Sequence, residues 1–159
     1  MNAPATPERV HVLLVERKAA NARLAIEALK SSTVNYELTV VADAASALNH
    51  VHASRGRGGT TRPDFIFLDL DLPGRSGHLV LADLKTDDRL RHIPVIALTS
   101  AAHREDLQRA HDAHSCSYIT KPKTVAEFVS VVRAIEQLWL PTVVYRRGEK
   151  GENGRLDGE

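Results

Sequence analysis

The sequence predicts an α/β protein built on a doubly wound, five-stranded parallel sheet. Two observations predict it. Short apolar runs rich in β-branched residues alternate in single file with longer stretches of good helix formers. The apolar runs read as buried strands, which fits a sheet covered by helices on both faces.

Val10 to Val15 (VHVLLV) is the first such strand. Ala19 to Lys30, rich in Ala, Leu, Glu and Arg, is a helix that Ser31-Ser32-Thr33 closes. Tyr36 to Val41 is the second strand. Asp43 reads as the N-cap of a helix reaching about His52, because its carboxylate can accept a bond from a free amide of the next turn. Ser54 to Pro63 has no periodicity and is a loop. Phe65 to Leu68 is the third strand and ends in Asp69. Leu72-Pro73-Gly74-Arg75-Ser76-Gly77 is a turn, and Leu79 to Thr86 a helix. Ile93 to Leu98 is the fourth strand, Arg104 to His114 a weakly apolar helix, Cys116 to Ile119 the fifth strand and Thr124 to Leu140 a strong final helix. This order and length suit a flavodoxin-like sheet with strand order 2-1-3-4-5. The expected organisation is a flexible N-terminus over 1–9, one folded domain over 10–140 and a largely disordered extension over 141–159, where Arg146, Arg147, Glu149 and Lys150 lie among glycines. The extension is too short for an output module.

A chain of 159 residues, 43% hydrophobic and 26% charged, has material for one domain with a proper core. A formal net charge of +1 creates no global field toward nucleic acid or an acidic membrane. No apolar run approaches a membrane span, and the first nine residues lack the apolar core of a signal peptide. Cys116 is the single cysteine, which excludes an intramolecular disulfide and a thiolate cluster. These features point to a cytoplasmic protein that binds neither nucleic acid nor membrane. The eight histidines have no acidic or thiolate partner cluster, so no zinc site is expected. Arg55-Gly56-Arg57-Gly58-Gly59 is a solvated loop, since no strand feeds it and no helix opens from it.

In open α/β sheets ligands bind beyond the carboxyl ends of the strands. The first strand ends in Glu16-Arg17, the third in Asp69 and the fourth in Thr99-Ser100, and the fifth is followed by Lys121-Pro122. A carboxylate pair, a hydroxyl and a lysine therefore converge on one edge. Each could simply cap a strand or helix; the coincidence at separate strand ends favours a site.

Leu13-Leu14-Val15-Glu16, Phe67-Leu68-Asp69-Leu70-Asp71-Leu72-Pro73, Ala97-Leu98-Thr99-Ser100 and Tyr118-Ile119-Thr120-Lys121-Pro122 resemble, in order and spacing, the response-regulator receiver family from about Val10 to Trp139. The resemblance implies that Asp69 accepts a phosphoryl group from a sensor histidine kinase. It implies that Thr99 binds a phosphoryl oxygen, that Lys121 pairs with the developing charge and that Tyr118 is an aromatic switch. Positioning and charge neutralisation are what phosphoryl transfer requires. The resemblance also implies a cis Lys121–Pro122 peptide.

The sequence departs from the family at Arg17. The family usually places two acidic residues after the first strand, which help bind Mg²⁺ with the acceptor aspartate and a backbone carbonyl, here that of Asp71. The metal set is thus Glu16, Asp69 and Asp71. With Arg17 and Lys121 balancing Glu16 and Asp69, a hard cation gains little, so Mg²⁺ binding is expected to be weak or absent. The Asp71 side chain could compensate if the strand end lets it face the pocket. The alternative function is a pseudo-receiver that signals only by protein contact. A flavodoxin-like enzyme is less supported, because no phosphate-cradling loop follows the first strand.

The final helix carries an apolar stripe at Val125, Phe128, Val132, Ile135 and Trp139, with Val129, Val131 and Leu138 off it. This surplus suggests a homodimer contact through Phe128, Ile135, Trp139 and Leu140. The Trp-Leu ending and the segment beyond it resemble the small receivers that partner phytochrome-type kinases, which implies a bacteriophytochrome as the kinase.

Overall fold

A computed structural model describes residues 9–53, 62–100 and 117–139. Five parallel strands are present: β1 (Val10–Val15), β2 (Tyr36–Val41), β3 (Phe65–Asp69), β4 (Val95–Thr99) and β5 (Ser117–Thr120). Their order is β2-β1-β3-β4-β5, the flavodoxin-like order. The described helices are α1 (Ala19–Lys30), α2 (Ala44–Ala53), α3 (Ser76–Thr86) and the final helix, α4 (Val125–Leu138). The expected helix from Arg104 to His114, most of the loop after Ser54, Cys116, Leu140 and the extension beyond it lie outside the described residues.

Strand alternation sorts the core into two layers. Leu13, Val15, Ile66, Leu68 and Ala97 face one way and pack with Ala47 and Val51 of α2 and Val80, Leu81 and Leu84 of α3. Val12, Leu14, Phe65, Phe67, Ile96 and Leu98 face the other way and pack with Ala22, Ala25 and Ala28 of α1 and Phe128, Val132 and Ile135 of α4. The aromatic rings stack edge to face, Phe65 on Phe67 at 5.5 Å and Phe67 on Phe128 at 5.2 Å. The α1–α4 seam also carries a polar tie. Tyr36 donates its phenolic proton to Glu136 Oε2 at 2.6 Å, and Ser32 Oγ bonds the same oxygen. Burial, then the bond and charge of Glu136, push the Tyr36 phenol far above its ordinary pKa.

The helix starts follow local chemistry. Asp43 Oδ1 accepts the Ser46 N–H at 2.7 Å, as its N-cap role requires. Thr124 caps α4 by accepting the Glu127 N–H at 3.1 Å, while Glu127 reaches back to the Lys123 N–H at 2.7 Å. α3 starts at Ser76, three residues before the predicted Leu79, because Pro73–Arg75 forms a 3₁₀ turn that runs into it. Gly74 makes the turn possible at φ 64°, a left-handed conformation that side chains disfavour. β4 starts at Val95 rather than Ile93; Lys85 Nζ instead holds the Arg91 and Ile93 carbonyls in the preceding turn.

Two of the four expected dimer residues, Phe128 and Ile135, require correction. Phe128 and Ile135 are 3% and 7% exposed and lie inside the chain's own core, because the α4 stripe packs on the sheet and α1. Trp139 is half-buried against the same cluster. Among the described residues of this end, the exposed large apolar one is Leu138, at 71%.

Candidate functional site

Glu16, Asp69 and Thr99, at 4%, 3% and 1% exposure, are buried polar residues of the described core, and they meet at the carboxyl edge of the sheet. Register puts them there. Val15 pairs with Leu68, Asp69 with Leu98 and Thr99 with Thr120, so the strand ends finish nearly level. Backbone bonds continue past each end: Glu16 N–H to the Val41 carbonyl at 2.9 Å, Leu70 N–H to that of Leu98 at 2.8 Å, and Lys121 N–H to that of Thr99 at 2.8 Å. These bonds fix where each polar side chain leaves the sheet.

Lys121 Nζ sits at the centre. It is 2.8 Å from Asp69 Oδ1, 3.5 Å from Asp71 Oδ2 and 3.7 Å from Glu16 Oε2. Burial alone would lower its pKa, but the bond and charge of Asp69, followed by the charges of Glu16 and Asp71, outweigh burial and raise it. The lysine is therefore an ammonium. Glu16 is displaced the same way for the opposite reason: burial raises its carboxyl pKa and the Asp69 charge adds to it, against the Lys18 N–H, Lys121 and Asn21. Its Oε1 accepts the Lys18 N–H at 3.0 Å and Asn21 Nδ2 at 3.5 Å.

The Asp71 side chain enters the pocket. Its Oδ1 accepts the Thr99 hydroxyl at 3.1 Å and its Oδ2 the Ser100 N–H at 2.9 Å. Asp71 in turn donates its own N–H to Asp69 Oδ1 at 2.8 Å. Gly77 allows the close approach of α3 to this corner, since a Cβ there would lie 2.5 Å from the Asp69 carbonyl oxygen.

The sequence-predicted Glu16, Asp69, Asp71, Thr99 and Lys121 are thus one cluster. Arg17 is not part of it. It is exposed, because the chain turns outward toward α1 after Glu16. The expected balance of Arg17 against a pocket carboxylate is therefore corrected: Asp71 supplies a third carboxylate, and Lys121 is the cation in contact with all three. The expected cis Lys121–Pro122 bond is corrected as well. It is trans, as are all peptide bonds of the described residues, and the lysine still reaches the pocket. Tyr118 is half-buried on β5 against the layer containing Leu68 and Ala97. Sequence reasoning missed the Ser100 amide and Asn21. Ser100 closes the Ala97-Leu98-Thr99-Ser100 segment, but a backbone donor has no residue-type signature; Asn21, on α1, gives no signal.

The oxygens of the three carboxylates surround the Lys121 ammonium rather than an open position, and among the described residues no three acidic, histidine or cysteine side chains are grouped to hold a metal ion. The sequence matches the family model of the response regulator receiver domain over residues 12–133. It is 35% identical over 143 residues to the response regulator Rcp1 of Synechocystis sp., covering 90% of this chain and 97% of that protein. The fold is similar to the crystal structure of the phosphorylated cyanobacterial phytochrome response regulator RcpA, at a TM-score of 0.73 and 37% identity over 85% of this chain and 96% of that one. It is also similar to the Mn²⁺-bound form of Rcp1, at a TM-score of 0.69 and 35% identity over 82% and 94%.

Proposed function

This chain belongs to the response regulator receiver family of two-component signalling, and from that premise we propose that Asp69 is its phosphoacceptor and a phytochrome-type sensor histidine kinase its donor. One observation carries the assignment: Lys121 Nζ lies 2.8 Å from Asp69 Oδ1, at the end of the central strand. The likeness to RcpA, a cyanobacterial phytochrome response regulator, supports the class of kinase.

An Asp69 carboxylate oxygen attacks the phosphorus of a phosphohistidine. The new P–O bond forms as the P–N bond breaks, and the imidazole leaves with the electron pair and takes up a proton. Lys121 neutralises charge on the transferring oxygens. Thr99 donates its hydroxyl to one of them, and Tyr118 moves with Thr99 to change the β4–β5 face that a protein partner reads. The similar protein Rcp1 has an Mn²⁺-bound form. By the family resemblance such an ion would be held by Glu16, Asp69 and the Asp71 backbone carbonyl, and it would supply charge neutralisation.

Asp69→Asn is the test. Incubated with the autophosphorylated kinase and Mg²⁺, the wild type takes up acid-labile label and the variant takes up none. Undiminished label in the variant would move the acceptor elsewhere.

Mg²⁺ affinity is lower than in receivers with two acidic residues after β1. Arg17 stands where the second carboxylate would be, and its charge disfavours a cation nearby even from the surface. Arg17→Asp is expected to tighten Mg²⁺ about three- to tenfold, a modest gain because Arg17 is exposed. Calorimetric titration measures it, and equal affinities would remove Arg17 from the account. The pseudo-receiver reading, which rests on that lost carboxylate, is not favoured over this one, because Asp69 and Lys121 still pair in the pocket and Thr99 stands beside them on Asp71.

A further inference from the structure

We propose that the Asp71 carboxylate is an internal competitor for the phosphoryl group, seated in the resting protein on the donors that the phosphoryl oxygens must take. This rests on Asp69 being the acceptor. Besides the Asp71 N–H that Asp69 already accepts, the donors at this edge of the sheet include the Thr99 hydroxyl, the Ser100 N–H and the Lys121 ammonium. Asp71 engages all three: Oδ1 takes Thr99 at 3.1 Å, and Oδ2 takes Ser100 at 2.9 Å and approaches Lys121 at 3.5 Å. A carboxylate with both oxygens held by separate donors presents the same pattern as two oxygens of a phosphoryl group.

Two consequences follow from charge and geometry. A phosphoryl group arriving on Asp69 needs donors that Asp71 already holds, and it brings negative charge beside a half-buried carboxylate. Asp71 must therefore give up the Thr99 and Ser100 bonds as the phosphoryl group takes them. Until then Asp71 keeps the Thr99 hydroxyl on its own side of the pocket, so the resting position of the switch residue is set by a neighbouring side chain. Asp71 is a positioning residue in this scheme, acting through Thr99 and Ser100.

The test uses beryllium trifluoride, a phosphoryl analogue that attaches to a carboxylate oxygen, with the full-length wild type, Asp71→Asn and Asp71→Ala. All are measured at Mg²⁺ concentrations shown by separate titration to saturate each protein. Both variants are expected to bind the analogue about tenfold more tightly than wild type. The Thr99 methyl resonance of the free variants should differ from that of free wild type, and the difference should shrink when the analogue is bound. Equal or weaker binding by both variants, with wild-type binding that Asp69→Asn abolishes, would overturn the competitor role and leave the acceptor assignment intact. No binding by any of the proteins, or binding that survives Asp69→Asn, would overturn the acceptor assignment and the competitor role with it.

Discussion

Lys121→Met is expected to slow phosphotransfer to Asp69 by on the order of 100-fold, the usual loss on deleting one charge-stabilising donor, and to destabilise the metal-free protein at neutral pH by about 1–3 kcal/mol. The ammonium lies within 3.7 Å of carboxylate oxygens on Glu16, Asp69 and Asp71, and methionine keeps its length while removing its charge. Because the folded pKa of Lys121 is raised, its stabilisation is fully present below the ordinary lysine value and lost only as pH rises through the raised one. At neutral pH all of it is at stake. Glu16 gives the deficit its pH dependence. A raised carboxyl pKa means that ionisation costs the native state, with no cost below about pH 4.5 and the full cost above the folded value. Without the ammonium that cost grows, so the variant's deficit should be smaller near pH 4.5 than at pH 7.5. Saturating Mg²⁺ should restore part of it. Denaturant midpoints at the two pH values, with and without Mg²⁺, measure this. A variant as stable as wild type at pH 7.5 without Mg²⁺ would show that the carboxylates do not depend on the lysine. Lys121→Arg separates charge from shape: it should recover more stability than transfer rate, since a guanidinium does not reproduce the ammonium's position.

Phe67→Ala is expected to destabilise the fold by about 3–5 kcal/mol, the range for deleting a buried aromatic ring, and to lower Tm by roughly 10 °C in a domain of this size. Phe67 is fully buried at the centre of the sheet, between Leu14 and Ile96 in register. Its ring meets Phe65 on one side and Phe128 of α4 on the other at nearly perpendicular angles. Alanine would leave a cavity where strand and helix cannot easily close, because β-sheet bonds hold β3 on both sides. The loss should appear in thermal unfolding at every pH, unlike that of Lys121→Met. A shift of only a degree or two would mean that α4 collapses onto the gap.

The fold class was legible because apolar periodicity is a property of each segment by itself. The span Ala19–Lys30 and the Asp43 cap are set by neighbours in sequence, and both are as read. The start of α3 has no sequence signal because a 3₁₀ turn carries no apolar period; the Gly74 backbone and the Pro73 ring make it, and they look like a plain turn in sequence.

The same division runs through the site. That Glu16, Asp69, Thr99 and Lys121 belong together followed from sequence, since in a parallel sheet every strand delivers its last residue to one edge. Which side chains turn inward did not. Glu16 and Arg17 are adjacent, yet one is buried beside Lys121 and the other faces solvent, because the backbone turns toward α1 between them. The sequence leaves the direction of Asp71 open; it lies inside, held by the Thr99 hydroxyl at the end of β4 and the Ser100 amide just beyond it, 28 and 29 residues away. Likewise the stripe Phe128, Val132 and Ile135 was visible, but a stripe states only that a helix buries one face. The strands and α1 decided that this chain covers it. Periodicity, capping and strand-end chemistry are local and were determined by the sequence alone. Charge balance and the choice of buried face are sums over residues distant in sequence, and only the tertiary structure decided them.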